Sequence, residues 1–279
     1  MKATGFVYLN GRIVAARTAS ISPFDRGFLY GDGLLETIRI YGGRPFALGR
    51  HLARLSASAT FLRIPVPKVK WEAVIAELLR RNRLTDAWTR ITLTRGSAAR
   101  GLDIPTKPSP TILITMGRID PAIASRQRRG VRLVSVPFRR DPFLAAHKTL
   151  NYLPGILAKA AAAREGAYDA LFTDARGRVF ETTTANIFLV KAKELWTPEV
   201  GVLPGVTRAL VAEMAKKHGL RVRERAFTLT DLGAAEEAFV TSSLVEVLPV
   251  LAVDEARIGT RPGARTRQLQ RAYGQLATG

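Results

Sequence analysis

The chain has 279 residues, 47% of them hydrophobic and 24% charged, with no cysteine and a formal net charge of +20. That length is generous for one core and comfortable for two domains, and the apolar content excludes a disordered chain. The lack of cysteine excludes a disulfide framework, a thiolate nucleophile and a cysteine-based metal site, and no apolar run approaches the roughly 18 residues that cross a bilayer. The first residues, MKATGFVYLNGR, lack the apolar stretch of a secretion signal, so a cytoplasmic location is expected. The charge points toward anionic partners. However, the basic clusters at Arg80-Arg81-Asn82-Arg83, Arg126-Gln127-Arg128-Arg129 and Arg139-Arg140 are dispersed. None is interleaved with the aromatics on which single strands stack, so nucleic acid is not the expected partner. A positive field that steers small anions toward a cleft is the expectation.

The chain opens with two apolar runs, Phe6–Leu9 and Ile13–Ala15, around Asn10-Gly11, the pattern of a tight hairpin. A Gly-rich stretch, Gly31-Asp32-Gly33, leads into a strand over Leu34–Tyr41, and Gly42-Gly43 turns the chain back into Pro45–Leu48. Leu52, Leu55, Ala59 and Leu62 predict a helix over 51–62, and Val74, Ile75, Leu78 and Leu79 predict another over 71–79. Strands are expected at Trp88–Thr94 and Thr111–Met116. The polar segment 117–130, with Pro121 and a closing Gly130, is read as an interdomain linker.

The second half starts with a strand over Val131–Val136. Pro154 opens an Ala-rich helix that ends near Gly166, and Val206–His218 forms a helix closed by Gly219. Further strands are read at Tyr168–Thr173, Val179–Glu181, Ala185–Val190, Leu195–Thr197, Arg221–Ala226, Ala238–Ser242 and Val245–Val250, with a last helix from Ala264. Strands meander more than they alternate with helices. The expected class is α+β, with a small N-terminal α/β domain over 1–116, the linker over 117–130, and a larger domain with a mixed sheet over 131–279.

Taken singly, the polar residues have ordinary readings. His51, His147 and His218 lie far apart without metal-ligand spacing, so no metal is expected. Gly205-Val206-Thr207-Arg208 suits a phosphate at a helix N-terminus, or a plain tight turn and cap. Glu181 and Thr182-Thr183-Thr184 suit a polar loop. Lys148, after the mostly apolar run 143–147, is either a desolvated nucleophile or a solvated surface lysine.

The order of the motifs changes this. His147-Lys148-Thr149-Leu150-Asn151-Tyr152-Leu153, Glu181-Thr182-Thr183-Thr184-Ala185-Asn186-Ile187-Phe188, Leu203-Pro204-Gly205-Val206-Thr207-Arg208, Glu237-Ala238-Phe239-Val240-Thr241-Ser242-Ser243 and Glu246-Val247-Leu248-Pro249-Val250 follow one another. Asp25-Arg26-Gly27, Tyr30-Gly31-Asp32-Gly33, Glu36 and His51-Leu52-Ala53-Arg54-Leu55 precede them. This series resembles the fold-type IV pyridoxal-phosphate aminotransferases, the group of D-amino-acid transaminases, branched-chain aminotransferases, R-selective amine transaminases and aminodeoxychorismate lyases.

The resemblance implies pyridoxal 5'-phosphate as cofactor, joined to Lys148 as a Schiff base, and a homodimer or higher homo-oligomer with small-molecule substrates. It places Glu181 against the pyridine nitrogen, where a carboxylate keeps that nitrogen protonated. Arg54, Val206, Thr207 and Ser243 fall on phosphate-side positions, Leu203 on the ring face and Tyr152 beside the ring hydroxyl. On the substrate side, Arg39 and Arg90 match positions that are arginine in branched-chain members, and Arg100 matches the carboxylate-binding arginine of D-amino-acid members. Leu35 and Leu102 stand where D-specific members carry Tyr and His, and Thr241 and Ser242 complete the substrate-side set. The string Arg95-Gly96-Ser97-Ala98-Ala99-Arg100-Gly101 also resembles the lyases. Three functions follow: a transaminase acting on amino acids or R-amines and 2-keto acids; an aminodeoxychorismate lyase releasing pyruvate; and, from the charge, a non-catalytic anion- or nucleic-acid-binding protein.

Overall fold

The computed structural model describes residues 5–138 and 141–279, so Arg139, Arg140 and residues 1–4 lie outside the described residues. The chain divides into two compact units, one of Met1–Ile119 with His147–Asn151, the other of Asp120–Ala146 with Tyr152–Gly279.

In unit 1, β1 (Phe6–Leu9) and β2 (Arg12–Ala15) form the expected hairpin. Both turn residues have positive φ, 46° at Asn10 and 92° at Gly11, which suits Asn-Gly. Then come α1 (Arg26–Tyr30), β3 (Gly33–Tyr41), β4 (Arg44–Pro45), α2 (Leu48–Phe61), α3 (Trp71–Asn82), β5 (Ala87–Thr94) and β6 (Thr111–Gly117). Leu48, the last residue of the run after Gly42-Gly43, opens α2. The six strands are ordered β2-β1-β6-β5-β3-β4, each pair antiparallel. Strand alternation sorts the side chains. Leu34, Ile38 and Ile40 of β3 pair with Leu93, Thr89 and Ala87 of β5. That face enters the core with Leu55 and Ala59 of α2 and Ile75, Leu78 and Leu79 of α3.

Residues 147–151, assigned from sequence to the second domain, belong to unit 1. Hydrogen bonds from Leu35 N–H to the Lys148 carbonyl (2.9 Å) and from Leu150 N–H to the Gly33 carbonyl (3.0 Å) lay them along the start of β3. The stretch read as a linker over 117–130 contains α4 (Ala122–Arg129). Its Gln127 amide donates to the Val245 carbonyl (3.0 Å), a contact between residues far apart in sequence that polar composition conceals.

Unit 2 continues with β7 (Val131–Pro137), α5 (Pro142–Ala145), α6 (Leu153–Arg164), β8 (Asp169–Thr173), β9 (Val179–Thr182), β10 (Asn186–Lys191) and β11 (Glu194–Thr197). Next are α7 (Val206–Lys217), β12 (Arg221–Glu224), α8 (Leu229–Gly233), β13 (Glu237–Ser242), β14 (Glu246–Val253), β15 (Ala256–Arg257) and α9 (Ala264–Thr278). Its nine strands run β12-β11-β10-β13-β14-β7-β8-β9, with β15 beside β14. The sheet is mixed, as expected: β11–β12, β14–β7 and β7–β8 are parallel and the remaining pairs antiparallel. A single pairing of Asn186 with Glu181 joins β10 to β9 and bends the sheet back on itself. Among the described residues no helix is long and apolar enough to cross a membrane.

Candidate active site

Unit 1 holds Lys148, Arg54, Leu35, Arg39, Arg90, Arg100 and Leu102. Glu36 is 1% exposed on the core face of β3. Arg54 donates to both carboxylate oxygens, from Nε to Oε1 and from Nη2 to Oε2, each at 2.7 Å. His51 Nδ1 lies 2.7 Å from Oε2. Burial on its own would raise the Glu36 pKa. The His51 hydrogen bond and the Arg54 guanidinium outweigh it and hold the carboxyl below the usual range. An ionised carboxylate only accepts, so the proton of this bond sits on His51 Nδ1. His51 and Arg54, three residues apart, meet Glu36 from one face of α2. Sequence reading gave Arg54 a role and left its two partners without one; the three-residue spacing was the available signal.

Lys148 is half-buried. The neighbouring His147 ring stacks on Phe61, centroids 4.0 Å apart and planes 21° apart, and its Nδ1 lies 3.1 Å from Ser58 Oγ. Burial pushes the His147 pKa down. On the face of β3 opposite the core, Leu35, Thr37 and Arg39 pair with Thr92, Arg90 and Trp88 of β5. Leu35, Arg39 and Arg90 therefore share one face, as a substrate-side set requires. Arg39 Nε and Nη1 are buried there without a hydrogen-bond partner among the described residues, and its guanidinium lies 4.7 Å from the centre of the Tyr41 ring. Arg90 is exposed, as are Arg100 and Leu102 on the segment after β5.

Unit 2 holds the other named residues. Glu181 is buried on β9, 4% exposed. Its Oε2 accepts the Leu203 N–H at 3.0 Å and the Asn186 side-chain N–H at 3.3 Å. The same Asn186 amide donates to the Leu203 carbonyl at 2.9 Å. A Cβ on Gly205 would lie 2.0 Å from Asn186 Oδ1, so glycine is needed where this loop enters α7. Gly205 supplies no side-chain cap, which leaves the first-turn N–H groups of Val206 and Thr207 for an anion. Thr241 stands beside Asn186 across β10 and β13, 2% exposed, with a buried hydroxyl that has no partner among the described residues. Ser242 and Ser243 follow it, half-buried. Tyr152 is the residue before α6 and is half-buried. The structure thus gathers Glu181, Leu203, Gly205 and Thr241 around Asn186, and Val206 and Thr207 follow Gly205 into α7. Asn186 was quoted in a motif but given no role, because its importance lies in the strand pairing. Among the described residues no group of three or more His, Cys, Asp or Glu side chains forms a metal site.

The buried carboxylate favours a cationic group and the N-terminus of α7 an anionic one. The sequence profile of amino-transferase class IV matches residues 33–253. The chain belongs to the class IV aminotransferases.

This class IV aminotransferase is 39% identical over 280 residues to a putative branched-chain-amino-acid aminotransferase of Methanocaldococcus jannaschii, covering 98% of this chain and 96% of that protein. It is 32% identical to the aminodeoxychorismate lyase of Bacillus subtilis, covering 96% and 93%. A solved branched-chain amino acid aminotransferase of T.th., with pyridoxamine 5'-phosphate, superposes with a TM-score of 0.91 at 29% identity, covering 99% of this chain and 94% of that one. The fold is that of the fold-type IV enzymes.

Proposed function

We propose that this enzyme is a pyridoxal-phosphate-dependent transaminase that moves an amino group between an amino acid, or an R-amine, and a 2-keto acid, with Lys148 as the cofactor-bearing lysine. The observation that carries the reading is the buried Glu181 carboxylate, fixed by Leu203 N–H and the Asn186 amide next to the N-terminus of α7. The Thr241 hydroxyl in the same place, without a partner among the described residues, suits a polar ligand, since a buried hydroxyl without a partner is costly. These donors fit a phosphorylated pyridine.

When bound, pyridoxal phosphate supplies a carbonyl for amine exchange and a ring that takes up electrons. Lys148 would hold it covalently, and its Nζ would carry a proton to and from the substrate Cα. Glu181 would keep the ring nitrogen protonated. Its two N–H donors fix the carboxylate in place for this task. Val206 and Thr207 N–H groups, Arg54 and Ser243 would hold the phosphate, Leu203 the ring face, and Tyr152 the ring hydroxyl. Glu36 pairs with the Arg54 guanidinium through both carboxylate oxygens, so that side chain has little entropy left to lose on binding. Arg39, Arg90 and Arg100 are the substrate carboxylate ligands we propose, with Leu35, Leu102, Thr241 and Ser242 shaping the pocket. Leu102 adds no hydrogen bond, so carboxylate recognition is not strict.

A homodimer, located in the cytoplasm, completes the proposal. Unit 1 exposes Phe24, Phe28 and Leu29, and unit 2 exposes Leu153, Ile156 and Leu157 on α6, apolar surface that a second copy would cover. A lyase reading is favoured by the Bacillus subtilis relative and by the Arg95–Gly101 string. Incubation with aminodeoxychorismate but no keto acid separates the two, because only a lyase turns over repeatedly.

The central experiment is borohydride reduction of wild type and Lys148→Ala, with peptide mapping. Wild type should lose its visible absorbance and carry the label on Lys148, and the variant should lack both label and turnover. A label mapped to a different lysine would overturn the assignment.

A further inference from the structure

The segment from Gly96 to Gly101 carries Arg100, and both its ends are held by one residue of α1. Arg26, 4% exposed, donates its backbone N–H to the Gly96 carbonyl at 2.9 Å and its Nη1 to the Gly101 carbonyl at 2.8 Å. Tyr30, one turn along α1, accepts the Gly101 N–H on its hydroxyl at 3.4 Å. Gly101 is therefore gripped on both sides of its Cα.

The Arg26 side chain is itself immobilised. Its Nε donates to Asp32 Oδ2 at 2.8 Å, and its guanidinium lies 5.1 Å from the centre of the Tyr30 ring. Asp32 is shared with Arg95, also 4% exposed, through contacts of 2.7 and 3.0 Å. Arg95 in turn donates to the carbonyls of Arg63 and Leu62, each at 2.9 Å, at the end of α2. The base of the loop is equally fixed. Buried Asp25 accepts from Gly27 N–H and from the hydroxyls of Thr94 and Thr111 at 2.8, 2.9 and 2.7 Å. A Cβ on Gly96 would fall 1.7 Å from the Ser109 carbonyl. Between these anchors Ser97, Ala99 and Arg100 are exposed.

We propose that Arg26 is a positioning residue that sets the reach of Arg100 by clamping both ends of the loop that carries it. The proposal rests on the reading of Arg100 as a substrate carboxylate ligand. An arginine needed only for folding would be satisfied by Asp32. Here one guanidinium branch is spent on the loop carbonyl, which a lysine cannot reach while also pairing with Asp32, because it lacks the planar fork.

The experiment uses holoenzyme of wild type, Arg26→Lys, Tyr30→Phe and Arg100→Ala. Trypsin nicking after Arg100, followed by mass spectrometry, reads loop order directly. Michaelis constants for an amino acid and for its matching amine without a carboxylate read the consequence. Arg26→Lys should nick roughly tenfold faster or more, the usual weight of a hydrogen bond from a charged donor. It should also raise the amino-acid KM while sparing kcat and the amine KM. Tyr30→Phe, on a partly exposed side chain, should move both readouts the same way by less, and stands in if Arg26→Lys does not fold. Unchanged nicking in both variants overturns the clamp, as does an amino-acid KM raised by Arg100→Ala but not by Arg26→Lys. If Arg100→Ala leaves the amino-acid KM unchanged, the carboxylate reading of Arg100 fails, and the nicking rates still judge the clamp.

Discussion

Replacing Glu36 by alanine should remove more stability than replacing any exposed acid in this chain. The carboxylate is 1% exposed and accepts three charge-assisted contacts of 2.7 Å from Arg54 and His51. Its loss takes from the Arg54 guanidinium, only 11% exposed, the carboxylate it pairs with. Breaking a buried pair from one side costs about 3–5 kcal/mol, most of it the desolvation of the charge left behind. Water still reaches part of Arg54, which puts the expectation at the lower end, about 3 kcal/mol. For a unit of this size that is a fall in Tm of roughly 10 °C. Glu36→Gln should fare little better, because its amide N–H would face two donors. Glu77 supplies the contrast. It also makes two 2.7 Å contacts, to Arg80 and Arg81, and its carboxyl is held down to about 2, yet its side chain is 32% exposed to water on α3. Ion pairs in water contribute little, so Glu77→Ala should melt with wild type. Differential scanning calorimetry of the cofactor-free proteins decides the matter. Equal melting of Glu36→Ala and Glu77→Ala would refute the argument that burial, not contact distance, sets the cost.

In Glu181→Gln, turnover is expected to fall by about 2–4 kcal/mol of barrier, roughly 30- to 1,000-fold, while cofactor affinity by equilibrium dialysis changes little. Equal turnover would show that Glu181 does not act on the ring nitrogen. Asp32 and Glu36 have lowered pKa values, burial being overcome by their arginine and histidine partners, so their stabilisation is complete only above about pH 5 and is lost as pH falls through their folded values. His147, lowered by burial, adds a separate loss that begins as pH drops below about 6.5, where the unfolded chain takes up a proton that the folded one refuses. Melting temperatures from pH 8 to 3 should therefore fall in two stages, and His147→Asn should abolish the upper one. Phe28→Glu, at an exposed apolar side chain, should shift sedimentation of the proposed dimer toward monomer, and an unchanged sedimentation coefficient would remove Phe28 from the interface.

Elements with a strong period, and the family, are written in the sequence. Leu52, Leu55 and Ala59 announce α2, Asn10-Gly11 announces the first hairpin, and motifs spread from Asp25 to Val250 identify a class IV aminotransferase. These signals are local, or are strings that each read without a partner. Features that depend on distant pairing came only with the fold. The five-residue α1 is too short to show a period, yet its Arg26 holds the Gly101 carbonyl 75 positions away. Asn186 looks like any loop amide until β9 and β10 set it against Glu181, Leu203 and Gly205. The polar stretch 117–130 reads as linker because α4 buries none of its residues fully. Residues 147–151 belong to unit 1 through two backbone hydrogen bonds to β3, and backbone groups are the same in every residue, so no side-chain pattern records them.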